Sequence, residues 1–145
     1  PPARLKPKPQ ERVFVGKEEV YAAIDDDHIC TINALTADIH RGQDARYGRV
    51  GHIPGSVNVP AASLQETKTL KILPLADVAR AFNNVGANPA KPVIVYCGGG
   101  VAATLNAFLL RQLGYKDVTV YDNSISEWAN DPTMPMEVFL GKGVG

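Results

Sequence analysis

The residue in this chain best suited to covalent chemistry is Cys97, in the stretch "VIVYCGGGVAATLNAFLLRQLGY". A thiol stands there between a strand-like apolar run and a helix-like run, with Gly98, Gly99 and Gly100 directly after it. Glycines let the backbone curl until several N–H groups converge on one spot. The unpaired amides at the start of the helix, with its dipole, add to that field. A thiolate placed there is stabilised, so Cys97 is expected to ionise more readily than a free thiol. The same cradle, Gly98 to Ala102 and including Val101, suits a persulfide or an incoming anion. Read alone, the motif is equally a small buried hydrophobe at a strand end. No Gly-Lys-Ser/Thr follows, which excludes a Walker phosphate loop, and one block of glycines does not make a dinucleotide fingerprint.

Other candidates are sparser. Cys30 and Cys97 form no metal-ligand pattern, and spacing leaves a disulfide between them open. Asp25, Asp26 and Asp27 lack the ligand spacing of a calcium loop and read as solvated. Arg41, Arg46 and Arg49 lie in an irregular segment where any of them could turn toward an anion, although a solvated arginine is the commoner case. His52 reads as a brace of a "GHIPG" turn; His28 and His40 have no evident partner, and Trp128 reads as packing.

The elements that must position Cys97 follow from pattern. "PPARLKPKPQER", residues 1–12, is proline-rich and basic without apolar period, and is expected to be a tail or linker. Residues 13–145 form one domain, a size that buries a core without staples. Val20, Ala23 and Ile24 repeat at helical spacing, and "HICTINAL" reads as a buried strand. The stretch from Thr36 to Pro60 is expected to be irregular, with a short strand at 56–59. A helix follows from Pro74 to Gly86, with Leu75, Val78, Ala79 and Phe82 facing inward. "VIVY" and "DVTVYD" are strands. The helix between them, from Val101 to Leu113, is apolar nearly all round and expected to be buried. "SISEWAND" is a short helix stopped before Pro132. Helices alternating with strands predict an α/β fold with a mainly parallel sheet.

Fifteen basic and fifteen acidic residues cancel. That argues against nucleic acid or a membrane surface as partner. No apolar run is long enough to cross a bilayer. A chain beginning at Pro1 reads as a trimmed piece, leaving room for a preceding domain, and unpaired thiols make cytoplasm the default compartment.

Two segments together resemble the rhodanese family: "GHIPGSVNVP" at 51–60 and "VIVYCGGGVAATLNAFLLRQLGYKDVTVYDNSISEW" at 93–128. The second resembles the catalytic, carboxyl-terminal half of two-domain thiosulfate and mercaptopyruvate sulfurtransferases. The resemblance implies a three-layer sandwich with a five-stranded sheet and helices on both faces. It also implies a cofactor-free sulfur shuttle, in which Cys97 takes sulfur from a small donor and passes it to a thiol or protein acceptor. In that family an Asp and an Arg end the second strand and a further Arg follows. Here those places hold Asn33, Leu35 and Ile39, while Gly98, Gly99 and Ala102 replace the loop's basic or hydroxyl side chains. Arg41 and Arg49 become candidate substitutes for the donor site. Two readings stay open: a sulfurtransferase with an undemanding donor such as a persulfide, and a module that keeps the fold for binding. A Cys-x5-Arg phosphatase is disfavoured, since no arginine precedes Arg111 in the run after Cys97.

Overall fold

The computed structural model describes residues 4–139. Residues 4–10 of the proline-rich tail form neither helix nor strand and are exposed; residues 1–3 and 140–145 of the expected segments lie outside the described residues. The elements run β1 (Phe14–Val15), α1 (Lys17–Ala22), β2 (Cys30–Asn33), α2 (Ala37–Arg41), β3 (Val57–Asn58), a 3-10 turn (Ala61–Leu64), α3 (Leu75–Asn84), β4 (Val93–Tyr96), α4 (Val101–Gln112), β5 (Val118–Tyr121) and α5 (Ser124–Trp128). The five strands make one sheet in the order β1-β5-β4-β2-β3, and every pair is parallel.

That order decides where the helices go. Right-handed crossovers put connections that step in opposite directions along a sheet on opposite faces. The steps β1 to β2 and β2 to β3 run one way, so α1 and α2 share a face. The steps β3 to β4 and β4 to β5 run back, which sends α3 and α4 to the other. Tyr121 fits this: it packs edge-on against Trp128 of α5, which also lies beside Tyr21 of α1. The central strands read as continuous apolar runs because helices cover both faces; every residue of β4 and β5 is buried.

Several expectations need correction. Leu75 is 49% exposed rather than inward, whereas Val78 and Phe82 are buried as expected. The position opens the first turn, before the helix meets the sheet. The α4 helix is one-sided: Ala103, Ala107 and Leu110 are buried, whereas Val101 and Phe108 stand out to solvent. Within the stretch expected to be irregular, α2 forms on Ile39, which is buried, and ends at Gly42 with φ 84°. The two-residue β1 went unrecognised because it offers no alternation to detect. Cys30 opens β2 opposite Val93, whereas Cys97 follows the far end of β4. Four residues at ~3.3 Å each separate them by ~13 Å, beyond disulfide reach.

Candidate active site

Cys97 lies at the carboxyl end of β4, the central strand, where open parallel sheets place ligands. Tyr96, fully buried, holds the neighbouring turn. Its hydroxyl accepts from the N–H of Ile53 at 3.1 Å and meets Ser56 Oγ at 2.8 Å, and burial pushes its ionisation well above the ordinary range. Behind that turn, His52 donates through Nδ1 to the carbonyl of His40 at 2.6 Å, while its backbone pairs with Glu137 in both directions. The rings of His40 and His52 stack at 3.8 Å. His52 is therefore the brace its motif suggested, and His40, which had no evident partner, is that partner.

The loop after Cys97 has two sides. On one side its carbonyls are tied to α5: Cys97 O accepts from Ile125 N at 3.0 Å, and Gly98 O accepts from Ser126 N at 3.1 Å and Ser126 Oγ at 2.5 Å. A trans peptide sets N–H opposite C=O, so anchoring those two carbonyls turns the N–H groups of Gly98 and Gly99 the other way. Among the described residues, no protein acceptor takes the N–H of any residue from 98 to 102. The Cys97 N–H itself goes to Ser124 Oγ at 3.0 Å.

Ser124 is the residue that sequence reasoning missed. It is fully buried, its hydroxyl donates to Tyr121 O at 2.6 Å, and it lies 4.0 Å from Cys97 Sγ. Its backbone sits at φ 55°, left-handed for a non-glycine residue, a strain that persists only where surrounding contacts over-determine it. An Asn-Ser pair after a strand signals a turn, but nothing local says that the hydroxyl turns inward.

Two glycines are required by their neighbours. A methyl group on Gly98 would strike the hydroxyl end of the Tyr47 ring, and one on Gly100, at φ 84°, would strike the side-chain oxygen of Asp122. Gly99 is open, with nothing within 4 Å of a methyl placed there. Cys97 is only 2% exposed, while Val101 at the loop's end is 82% exposed.

The arginine expectations change. Arg49 commits its guanidinium to the carbonyls of Trp128, Ala129 and Asp131, at 3.1, 2.9 and 2.6 Å, capping the end of α5. Arg46 pairs with Asp44 at 3.2 Å. Arg41 ends α2, exposed, beside His40 and Gln43 in a surface hollow that holds neither Cys97 nor its loop. The places where the resemblance implied charge, Asn33, Leu35 and Ile39, are filled by core. Asn33 is fully buried, accepts Leu35 N on Oδ1 at 2.9 Å and donates to His40 Nδ1 at 3.1 Å; Leu35 and Ile39 are buried. Trp128 is fully buried and gives its indole N–H to Pro135 O at 2.7 Å. Asp26 caps the N–H of His28 at 2.9 Å, as an aspartate does in a turn.

A family model described as "Rhodanese-like domain" matches residues 17–131, from α1 to just past α5. The chain belongs to the rhodanese family. Among curated proteins it is similar to a mitochondrial thiosulfate/3-mercaptopyruvate sulfurtransferase of Arabidopsis thaliana, 37% identical over 61% of this chain and 23% of that protein. A 3-mercaptopyruvate sulfurtransferase of Escherichia coli is 38% identical over 61% of this chain and 31% of its own length. A thiosulfate sulfurtransferase of Azotobacter vinelandii is 31% identical over 73% and 39%. The chain thus spans well under half of these relatives. The anaerobic ergothioneine biosynthesis enzyme from Chlorobium limicola superposes with a TM-score of 0.80 at 20% identity, covering 87% of this chain and 32% of that one, which speaks for the rhodanese fold. No helix among the described residues is long and apolar enough to cross a membrane.

Proposed function

We propose that this rhodanese domain is a sulfurtransferase that carries sulfane sulfur on Cys97 and takes it from a persulfide or polysulfide. One observation carries the reading: the N–H groups from Gly98 to Ala102 have no protein acceptor among the described residues, and α5 holds the carbonyls opposite the first two of them. Free amides beside a nucleophile are what a terminal sulfur anion needs. Cys97 as thiolate attacks the outer sulfur of R–S–SH. The Cys97–sulfur bond forms, the donor S–S bond breaks, and its electron pair leaves with R–S⁻. An acceptor thiolate then attacks the outer sulfur of the Cys97 persulfide and restores the Cys97 thiolate. The relatives' names supply the reaction class; the choice of donor rests on this chain's own charges. With Arg49 occupied, Arg46 paired and Asn33, Leu35 and Ile39 turned into the core, a doubly charged donor finds no charge from any of these positions at the loop.

Treating the protein with a hydropersulfide, thiosulfate or mercaptopyruvate and weighing it tests this. Expected is a gain of one sulfur on Cys97, fastest from the hydropersulfide and lost in Cys97→Ser. Sulfur loading that survives in Cys97→Ser would end the proposal. The near-complete burial of Cys97 favours a second reading, a binding module with an inert thiol, and absence of loading from every donor would select it.

A further inference from the structure

We infer that Tyr47 is a further residue of the Cys97 site: its ring roofs the loop and its hydroxyl meets the leaving sulfur of the donor. The inference rests on the sulfur-transfer reading for what enters, and on geometry for the roof.

Tyr47 lies in the long connection between α2 and β3, yet its ring covers Gly98 so closely that no side chain fits between them. It is held there from behind. Asn130 Nδ2 donates to the Tyr47 carbonyl at 3.0 Å and to Ser126 O at 2.7 Å, while Arg49, two residues on, clamps the end of α5. The same α5 fixes the Gly98 carbonyl through Ser126. Roof and floor therefore hang from one short helix, so their spacing is set by a shared support. The phenol oxygen makes no hydrogen bond to protein among the described residues, although the ring is partly buried against the core. A hydroxyl without a protein partner, held against Gly98 beside Cys97 in the chain, is free to donate to a ligand at the loop.

The loop supplies no other side-chain donor, since residues 98 to 102 are Gly, Gly, Gly, Val and Ala. Two residues along the loop from Gly98, the carboxylate of Asp122 borders Gly100. The carboxylate disfavours a dianion by like-charge repulsion, while a single phenol donor suits a slender, singly charged or neutral sulfur compound. In the transfer step the phenol O–H donates to the thiolate leaving as R–S⁻ and keeps its proton, so the balance of the step is unchanged.

The test compares Tyr47→Ala, Tyr47→Phe and Asn130→Ala with wild type in two readouts. The first is the rate of Cys97 alkylation by iodoacetamide, which needs no sulfur transfer. Removing the roof in Tyr47→Ala raises it at least about tenfold; Tyr47→Phe keeps the ring and stays within about twofold; Asn130→Ala, which only unlatches the ring, falls between. The second is transfer from a hydropersulfide. Tyr47→Phe lowers kcat by about tenfold or more with little change in KM, as expected for loss of one hydrogen bond to developing charge. Alkylation in both Tyr47→Ala and Asn130→Ala at the wild-type rate overturns the roof. Transfer by Tyr47→Phe at the wild-type rate overturns the role of the hydroxyl. If wild type takes up no sulfur at all, the sulfur-transfer reading and the hydroxyl's role fail together, and the alkylation series still decides the roof.

Discussion

Replacing Ser124 with alanine removes a single oxygen and leaves the backbone conformation unchanged. That oxygen accepts the Cys97 N–H at 3.0 Å and donates to Tyr121 O at 2.6 Å. Cys97 and Tyr121 are 2% and 0% exposed, so water does not replace the lost partners without opening the structure. An unsatisfied buried donor costs ~1–3 kcal/mol, and the carbonyl, with a second lone pair, less. The sum is ~2–4 kcal/mol, a large share of the ~5–15 kcal/mol typical of a whole domain. Ser124→Gly makes the inner control. It loses the same hydrogen bonds but relieves the left-handed φ of 55°, which costs a non-glycine residue ~1–2 kcal/mol. Glycine is thus expected to be the milder of the two by ~1 kcal/mol, net of its own entropy. Urea unfolding reads both as shifts in midpoint at constant slope. Ser124→Ala unfolding within ~0.5 kcal/mol of wild type would refute the hydrogen-bond account. Ser124→Gly unfolding earlier than Ser124→Ala would overturn the strain account.

Other perturbations probe the same neighbourhood. Gly100→Ala puts a methyl against Asp122 at a φ of 84°, and should lower stability by ~2–3 kcal/mol in the same unfolding assay. Arg49→Ala frees the carbonyls at the end of α5 and should cost ~1–2 kcal/mol; Arg49→Lys recovers only part, since an ammonium lacks the planar fork. His40 is held at about 4, by burial first and by His52 beside it second. Its folded value lies below the unfolded ~6.5, so the unfolded chain takes the proton first. Its contribution is whole above pH ~6.5 and is lost as pH falls toward 4, and His40→Gln should flatten unfolding midpoints across that window. The ring is partly exposed, so solvent screening keeps the effect modest.

Much of this was legible in the residues. The strands β4 and β5 carry runs of β-branched and aromatic residues that the sequence marks, β2 sits in the run "HICTINAL", and the punctuation at Gly51, Pro54 and Gly86 falls where chain direction changes. Cys97 and its glycines stood out as a candidate, but alone they were equally a buried strand end, and only their pairing with "GHIPGSVNVP" pointed to the family. What stayed hidden depends on distance in sequence. Leu75 and Val78 are both apolar at helical spacing, and only the angle at which α3 meets the sheet exposes one and buries the other. Arg49 reads as any loop arginine until α5, about eighty residues later, presents three carbonyls to it. Tyr47 was the one aromatic in a run of charged and small residues, a signal without an address. Its partner Gly98 lies fifty-one positions away.

If Cys97 carries sulfur as proposed, the way the site is built lets it do so without arginines. A cation recognises an anion by charge, and holding one in a partly buried pocket carries a desolvation cost. Here the positive field comes from peptide dipoles whose orientation is fixed from the far side: α5 grips the carbonyls of Cys97 and Gly98, so the amides have one direction left. Such a field is short-ranged and suits one terminal sulfur better than a sulfonate or carboxylate at the far end of a donor. Moving Asn33, Leu35 and Ile39 into the core makes the same choice from the other side, since charge added at any of them would now enter a packed interior. Leu35→Arg should therefore unfold the domain before it restores thiosulfate turnover. A Leu35→Arg protein that stays as stable as wild type, and gains that activity, would mean that the neutral pocket is an accident of one position and not a property of the scaffold.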